Sequence, residues 1–222
     1  MHLQCLAALL ICALASTAVG ATVSIPVSED ASTNTANSGN LNNITTRGGL
    51  LSGLDDTGSN YSFYLKFILP DREDGMHISK AALIGHHTDD FGGPNSFHAW
   101  FFVPSDDWDE TTITSSNAPP TGPDTGAGFE SAGAALGEKQ FDLTAIANQE
   151  YHGDGVLSLK MQTVDGRFGD LKFFASKEFD PELAFRLDLT ISPIPLPPAL
   201  ASGLITLVGS AGAIWIRKRR RS

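Results

Sequence analysis

Two histidines and two aspartates lie within positions 86–90, a spacing that can hold a metal ion. Imidazole nitrogens and carboxylate oxygens are ligands for zinc and other transition metals. Adjacent residues of a strand point to opposite faces, so His86 and His87 cannot easily share one ion. Either histidine together with Asp89 is the better pair, and a solvated turn is the alternative interpretation of the cluster.

Calcium is the second metal that the sequence allows, because it prefers several carboxylate and carbonyl oxygens. Loop carboxylates are abundant, although no EF-hand-like loop occurs and their spacing alone does not show that they converge. A structural Ca²⁺ ion is the only cofactor that we consider. The candidate metal ligands are Glu29, Asp30, Asp55, Asp56, His87, Asp89 and Asp90.

Aromatic side chains that lie exposed beside polar groups can stack on sugar rings. The candidates for such a ligand-binding surface are Phe91, Trp100, Tyr151 and His152. Trp100 belongs to the apolar run 98–102, which favours a place in the core over an exposed one. The few cations are scattered among carboxylates, which disfavours an anionic polysaccharide as ligand unless calcium mediates the contact.

Catalysis by paired side chains is the other chemistry to consider. Asp106 with Glu110 can serve glycoside hydrolysis, and Tyr151 with His152 can act as acid and base in a lyase. Acidic residues are so frequent here that such pairs arise by chance, and the sequence has no nucleophile elbow, zinc-protease helix or phosphate loop. We therefore predict no catalytic residues, and keep a secreted polysaccharide-degrading hydrolase or lyase as an alternative.

The elements that position these residues are predicted to be strands, because apolar residues recur at every second position from Tyr61 to Leu69. Turn-rich spacers between short strands favour an all-β, antiparallel β-sandwich. One helix is expected at 141–148, capped by Asp142, and a long loop at 115–137. The predicted strands are 23–27, 41–46, 61–69, 78–87, 97–103, 156–164, 171–175 and 183–191.

The first 21 residues have the pattern of a secretory signal peptide. The apolar stretch 3–18 is followed by small residues that offer a signal-peptidase site before Thr22. Both cysteines of the chain, Cys5 and Cys12, lie in this segment. The mature chain would therefore contain no disulfide, thiolate metal site or cysteine nucleophile.

Residues 193–222 combine a proline-rich motif, an uncharged run and a basic cluster. The run 199–216 has 18 residues, which as a helix would extend about 27 Å and just cross a bilayer core of about 30 Å. A basic flank stays on the cytoplasmic side, so the domain 22–192 is expected to face outward. The basic cluster consists of Arg217, Lys218, Arg219, Arg220 and Arg221.

This arrangement resembles the PEP-CTERM sorting signal of bacterial exosortase substrates, in a variant similar to Val-Pro-Leu-Pro. The resemblance implies that an exosortase-like enzyme removes the tail. The protein would then cross the inner membrane only in transit and reach the cell surface or extracellular matrix. A single-pass membrane anchor and a buried core helix are the alternatives. The sorting motif is Ile194, Pro195, Leu196 and Pro197.

The charge of the predicted domain limits its partners. All 25 acidic residues and ten of the 15 basic residues lie in 22–192, which gives that segment a net charge of −15. A field of that sign repels nucleic acid and anionic membrane surfaces. We therefore expect no nucleic-acid partner.

Several short motifs follow one another along the domain, at 64–67, 106–112, 117–119, 141–144, 157–159, 174–178 and 181–183. Their order resembles the DNRLRE domain family, whose relatives include CBM96-like carbohydrate-binding modules. The resemblance implies a jelly-roll β-sandwich, with glycan binding in some relatives. Our hypothesis is an exported, non-catalytic protein that binds or organises extracellular polysaccharide. The alternative is a structural surface or biofilm-matrix protein without a defined ligand.

Overall fold

The computed structural model describes residues 20–36, 39–42, 44, 46–92, 96–130 and 135–195. The chain divides into two compact units, Met1–Ser192 and Pro193–Ser222. The predicted signal peptide lies outside the described residues except for Gly20 and Ala21, and the predicted membrane helix lies wholly outside them. Among the described residues, no helix has the length and hydrophobicity needed to cross a membrane.

The described residues form an all-β fold in which eleven strands make one curled antiparallel sheet, accompanied by one short helix. β4 pairs with three strands, β2, β3 and β9, and β5 pairs with β8, β10 and β11, so the sheet branches at β4 and β5 and encloses an interior. The strands are β1 Ala21–Pro26, β2 Glu29–Asn34, β3 Gly49–Leu54, β4 Asn60–Ile68, β5 Met76–Phe91, β6 Phe97–Phe102, β7 Asp124–Glu130, β8 Gly137–Asp142, β9 Val156–Thr163, β10 Asp170–Ala175 and β11 Arg186–Pro193.

The main core lies on the face of β4 that carries Phe63, Leu65 and Phe67, as the two-residue periodicity predicted. The ring of Phe63 lies 5.4 Å from that of Trp100 and 5.7 Å from that of Phe185, measured between centroids. Such offset and edge-to-face contacts between aromatic rings add to the free energy gained by burial. The strand pattern therefore directs an aromatic cluster into the interior of the sheet.

The opposite face of β4 is buried as well, which the sequence pattern did not predict. Tyr64 forms a second cluster with Ala31, Val103, Trp108 and Ile113. Trp108 lies in the connection after β6, and its indole nitrogen donates a hydrogen bond to Ser158 Oγ at 3.2 Å. This connection covers β2 and β4, so carboxylates from distant parts of the sequence lie close together beneath it.

Two parts of the predicted strand pattern are wrong. The described residues of 41–46 lie outside any strand, and Ile44 packs instead against Leu51, Leu171 and Phe173. The polar segment that forms β2 was not predicted as a strand, although it pairs with β4 along its full length. The expected loop at 115–137 contains β7 and the first residue of β8.

The helix α1 spans Thr144–His152, three residues later than predicted at its start. Asp142 Oδ1 accepts hydrogen bonds from Thr144 N at 2.9 Å and from Thr144 Oγ1 at 2.6 Å. These bonds lower the pKa of Asp142 and form a turn before the first helical residue. Ala147 and Tyr151 are the apolar helix residues that are fully buried, and they pack into the main core.

Candidate functional site

An apolar cluster outside the main core lies on β3 and β10. Leu51, Leu171 and Phe173 form this cluster, which we call the outer patch, and Tyr61 packs against it. Phe174, the next residue of β10, belongs to the main core, so the outer patch lies on the other face of the strand. The outer patch is thus a small apolar cluster, separate from the interior, whose three members are only 6–7% exposed.

Phe91 extends the outer patch toward solvent. It is 39% exposed and is the cross-strand partner of Leu171. Directly paired residues of antiparallel strands project from the same face of the sheet. The phenyl ring of Phe91 therefore lies on the face that carries the outer patch.

A charged pair lies next to the same surface. The guanidinium of Arg47 is 5.5 Å from the ring centroid of Phe173, and its Nε lies 3.4 Å from Asp89 Oδ2. Both charged side chains are about half exposed. Asp89 is the cross-strand partner of Phe173, so donors and acceptors for hydrogen bonds lie two residues along β5 from Phe91.

A second exposed phenyl ring lies near the end of the strands that carry the patch. Phe168 is 63% exposed and precedes β10 by two residues. Its ring lies over Gly58, because a Cβ atom placed on Gly58 would be 2.8 Å from Phe168 Cε1. Phe91, Phe168 and the Arg47–Asp89 pair together combine exposed rings with polar groups, which is the chemistry that sugar rings and hydroxyls require.

The predicted metal ligands are not brought together in one group among the described residues. The predicted turn at Asp55 is present, since Asp55 Oδ1 accepts hydrogen bonds from Thr57 and Ser59, and these bonds lower the pKa of Asp55. Asp89 pairs with Arg47, and Asp90 forms an ion pair with Lys172. Glu29 is the first residue of β2, where its Oε1 accepts from Lys66 Nζ at 2.8 Å, and Asp56 lies in the turn after β3, where one of its oxygens lies beside Gly169.

His87 is fully buried and contacts aromatic rings. Its ring centroid is 5.3 Å from that of Phe174 and 6.0 Å from that of Phe129. Burial lowers the pKa of His87, so the imidazole is neutral near pH 7. This environment explains why His87 does not join Asp89 in a metal site: the ring belongs to the interior.

Asp30 does lie in a group of carboxylates, but with partners that the sequence did not suggest. Asp30, Glu110 and Glu178 each offer an oxygen, and these oxygens all lie within 4.8 Å of one another. Burial, with a smaller contribution from the charge of Glu178, raises the pKa of Asp30 to about 8, although the hydrogen bond from Lys177 N lowers it. We call Asp30, Glu110 and Glu178 the acidic cluster.

A buried ionic network connects β10 with β5 and β6. Lys172 Nζ lies 2.7 Å from Asp170 Oδ1 and also pairs with Asp90. His98 Nε2 lies 3.9 Å from Asp170 Oδ2, and His98 Nδ1 lies 2.8 Å from Ser52 Oγ. Ser52, His98 and Asp170 have no exposed surface, so this Ser-His-Asp arrangement cannot contact a substrate.

Residues 21–185 match the family model of carbohydrate-binding module family 96. The chain belongs to this family. The match spans the whole curled sheet except its last strand, and it includes the outer patch and the acidic cluster. No curated protein matches the chain.

Chains of solved structures also match this family 96 protein. One of them comes from a structure of PNGF-II in the C2 space group, with 11% sequence identity and a TM-score of 0.36. The match covers 80% of the present chain and 35% of that chain. The family 96 protein thus spans about a third of the length of the PNGF-II chain.

Two of the candidate ligand-contacting aromatic residues are buried in the family 96 module, which contradicts a ligand contact for both and confirms the core position that the apolar run 98–102 favoured for Trp100. Trp100 has no exposed surface, and Tyr151 is 2% exposed. A ring without an exposed face cannot stack on a sugar. The hydroxyl of Tyr151 is enclosed as well, and its oxygen accepts a hydrogen bond from Glu73 N at 3.0 Å.

The other two candidate aromatics are exposed but lie on different elements. Phe91 ends β5, whereas His152 ends helix α1, where its ring packs edge-on to Tyr151 at 5.4 Å. Phe168 and Arg47 were not among the predicted site residues. Arg47 has a φ angle of 61° and lies in a turn that reaches the outer patch. No sequence motif indicated this backbone conformation.

Proposed function

We propose that this family 96 protein is a non-catalytic polysaccharide-binding protein and that its glycan binds across Phe91, Phe168 and the Arg47–Asp89 pair. The observation that carries the proposal is the exposed ring of Phe91, in register with Leu171 on the face of the outer patch. Its ring stacks on the C–H face of a sugar. Arg47 donates hydrogen bonds to sugar hydroxyls, and Asp89 accepts them.

The charge of the chain defines the class of glycan. The segment 22–192 carries 15 more negative than positive charges, and Asp89 neutralises Arg47 at the proposed face. An anionic polysaccharide would be repelled by this field. The proposed ligand is therefore a neutral extracellular polysaccharide.

Two further observations support a role in binding without catalysis. The carboxylate Glu110 is bound by Lys177 and by Asp30 N, so one of its oxygens already accepts two donors. Burial raises the pKa of Asp106, and its Oδ1 is enclosed without a hydrogen-bond partner among the described residues. Neither carboxylate of the suggested hydrolase pair is thus presented to a sugar as an open acid or base.

Replacing Phe91 with alanine is expected to weaken glycan binding about tenfold or more, because the contact with the sugar loses a phenyl ring worth about 1.5–3 kcal/mol when buried. Electrophoresis of the protein in gels that contain galactan, mannan or β-glucan measures the affinity. The matched control is Phe179→Ala, since Phe179 is also 39% exposed but follows β10 at the opposite end from Phe168.

The two variants separate the possible outcomes. Equal retardation of the wild type, Phe91→Ala and Phe179→Ala proteins by every glycan would contradict the proposed face. Retardation by alginate only, and only with calcium, would contradict the neutral ligand. Release of reducing ends or unsaturated products would contradict the non-catalytic role.

The proposal includes export and sorting. The apolar segments at 1–21 and 199–216, with the motif from Ile194 to Pro197 and the basic cluster, support passage through the inner membrane and removal of the tail by an exosortase-like enzyme. The exposed module would then act at the cell surface or in the exopolysaccharide matrix, as a jelly-roll-like β-sandwich. The curled antiparallel sheet with a buried interior supports that architecture.

The mature protein is expected to have lost both terminal segments when it is isolated from a host with an exosortase. Intact mass spectrometry measures the remaining chain. Replacing Pro195 and Pro197 with alanine should leave the tail attached while the signal peptide is still removed. A wild-type protein that keeps residues 199–221 would contradict the sorting proposal and leave a single-pass anchor.

A further inference from the structure

The acidic cluster joins three segments that are far apart in the sequence. Asp30 belongs to β2, Glu110 to the connection after β6, and Glu178 to the turn after β10. Asp30 N donates a hydrogen bond to Glu110 Oε2 at 3.1 Å, and Lys177 N donates to Asp30 Oδ2 at 2.9 Å. The cluster thus has a defined geometry that is fixed by the backbone.

Two oxygens of the cluster are buried without a hydrogen-bond partner among the described residues. They are Asp30 Oδ1 and Glu178 Oε2. Asp30 itself has no exposed surface. A buried carboxylate oxygen without a donor costs more than about 1 kcal/mol in stability. Because both orphaned oxygens belong to one group of converging carboxylates, a single ligand can satisfy them together.

When all the carboxyl groups at the cluster are ionised, as cation binding requires, the local charges leave a deficit of two positive charges. Glu29 lies next to the cluster, since its Oε2 accepts a hydrogen bond from Glu110 N at 3.1 Å. Lys66 pairs with Glu29 at 2.8 Å, and Lys177 pairs with Glu110. Four carboxylates thus face two ammonium groups. A divalent cation would make the local charge zero.

We infer that Asp30, Glu110 and Glu178 bind one divalent hard cation of the calcium class. All three offer carboxylate oxygens, and the cluster contains no histidine or cysteine. Oxygen-only ligand sets select Ca²⁺ over zinc and other softer ions. The three carboxylates supply three to six ligand oxygens, and water completes the shell.

The inferred ion has a structural role. It connects β2 with the connection that carries Trp108 and with the turn after β10. Ser28 O accepts a hydrogen bond from Lys177 Nζ at 2.8 Å. The lysine that pairs with Glu110 therefore also binds the residue that precedes β2. The inference depends on the acidic cluster alone and stands apart from the proposed glycan face.

Calorimetric titration of CaCl₂ into EDTA-treated protein tests the inference. One Ca²⁺ ion should bind per chain, and calcium at 100 times the Kd should raise the melting temperature by about 5–10 °C. Asp30→Asn and Glu178→Gln should each weaken binding by tenfold or more. The matched control Glu182→Gln removes an exposed carboxylate four residues from Glu178 and should bind calcium as the wild type does.

Two outcomes would overturn the inference. Wild-type protein that gives no heat and no change in melting temperature with Ca²⁺, Mg²⁺ or Tb³⁺ would contradict the inferred ion. Unchanged calcium binding in Asp30→Asn and Glu178→Gln would place the ion elsewhere. If Asp30→Asn does not fold, Glu178→Gln decides alone, because Glu178 is only partly buried.

Discussion

Replacing Lys172 with methionine will lower the free energy of unfolding by about 3–5 kcal/mol. Lys172 is 2% exposed, and its ammonium group lies 2.7 Å from Asp170, a carboxylate with no exposed surface. Without the lysine, the carboxylate of Asp170 loses this close ion pair, whereas His98 Nε2 lies farther away, at 3.9 Å from Asp170 Oδ2. Urea unfolding followed by tryptophan fluorescence measures the change.

Two further variants identify the cause of that loss. Asp170→Asn combined with Lys172→Met removes both charges, and it should recover a large part of the lost stability. Arg186→Met breaks the half-exposed pair with Glu138, whose N–O distance is 3.2 Å, and should cost less than about 1 kcal/mol. A Lys172→Met protein within 1 kcal/mol of the wild type would show that the network does not carry the stability assigned to it.

Replacing Trp100 with alanine is expected to lower the free energy of unfolding by about 3–5 kcal/mol, because a large cavity would open in the main core. The indole lies between Phe63, Phe141 and Phe185, with centroid distances of 5.4, 5.6 and 5.5 Å. Thermal and urea unfolding measure this loss. Glycan affinity of the folded fraction should stay within twofold of the wild-type value.

Trp100→Phe is the conservative control for the core. It keeps most of the ring volume and removes an indole nitrogen that has no hydrogen-bond partner among the described residues. Its cost should therefore be smaller, about 1–2 kcal/mol. A Trp100→Ala protein with unchanged stability and abolished glycan binding would instead make Trp100 a sugar platform, against its observed burial.

The alternation of apolar and polar residues along single strands was sufficient to predict many of the strands in the sheet. β4 illustrates the reason: Phe63, Leu65 and Phe67 point inward because successive side chains of a strand project to opposite faces. This rule needs no information from outside the strand. The rule also predicted that His86 and His87 point to opposite faces of the strand, and His87 is buried whereas His86 is only partly buried.

β2 shows where that rule fails. Its residues, Glu29 to Asn34, have the composition of a loop, yet five of the six are buried. The strand is stabilised by pairing with β4 and by the cover that contains Trp108 and Ile113. Partners 27 or more positions away in the sequence leave no local pattern, so the residues 29–34 by themselves cannot indicate them.

The candidate sites likewise have features that residue type alone suggested and features that only the folded structure revealed. Residue types alone suggested that Phe91 can contact a sugar and that Asp30 can contact a cation. They did not indicate that Tyr151 is buried, because the same aromatic chemistry serves a core and a binding face. Likewise Glu110 and Glu178 are separated from Asp30 by 80 and 148 positions, and only folding brings their oxygens within 4.8 Å.

The sequence by itself determined the β-strand character of the chain, the excess of negative charge and the chemistry that each side chain can offer. Those properties are local or additive, so the order of residues is enough to specify them. The tertiary structure decided which rings face solvent, which ions are enclosed and which carboxylates meet. Exposure and proximity depend on the pairing of distant strands, and such pairing is a property of the whole folded sheet.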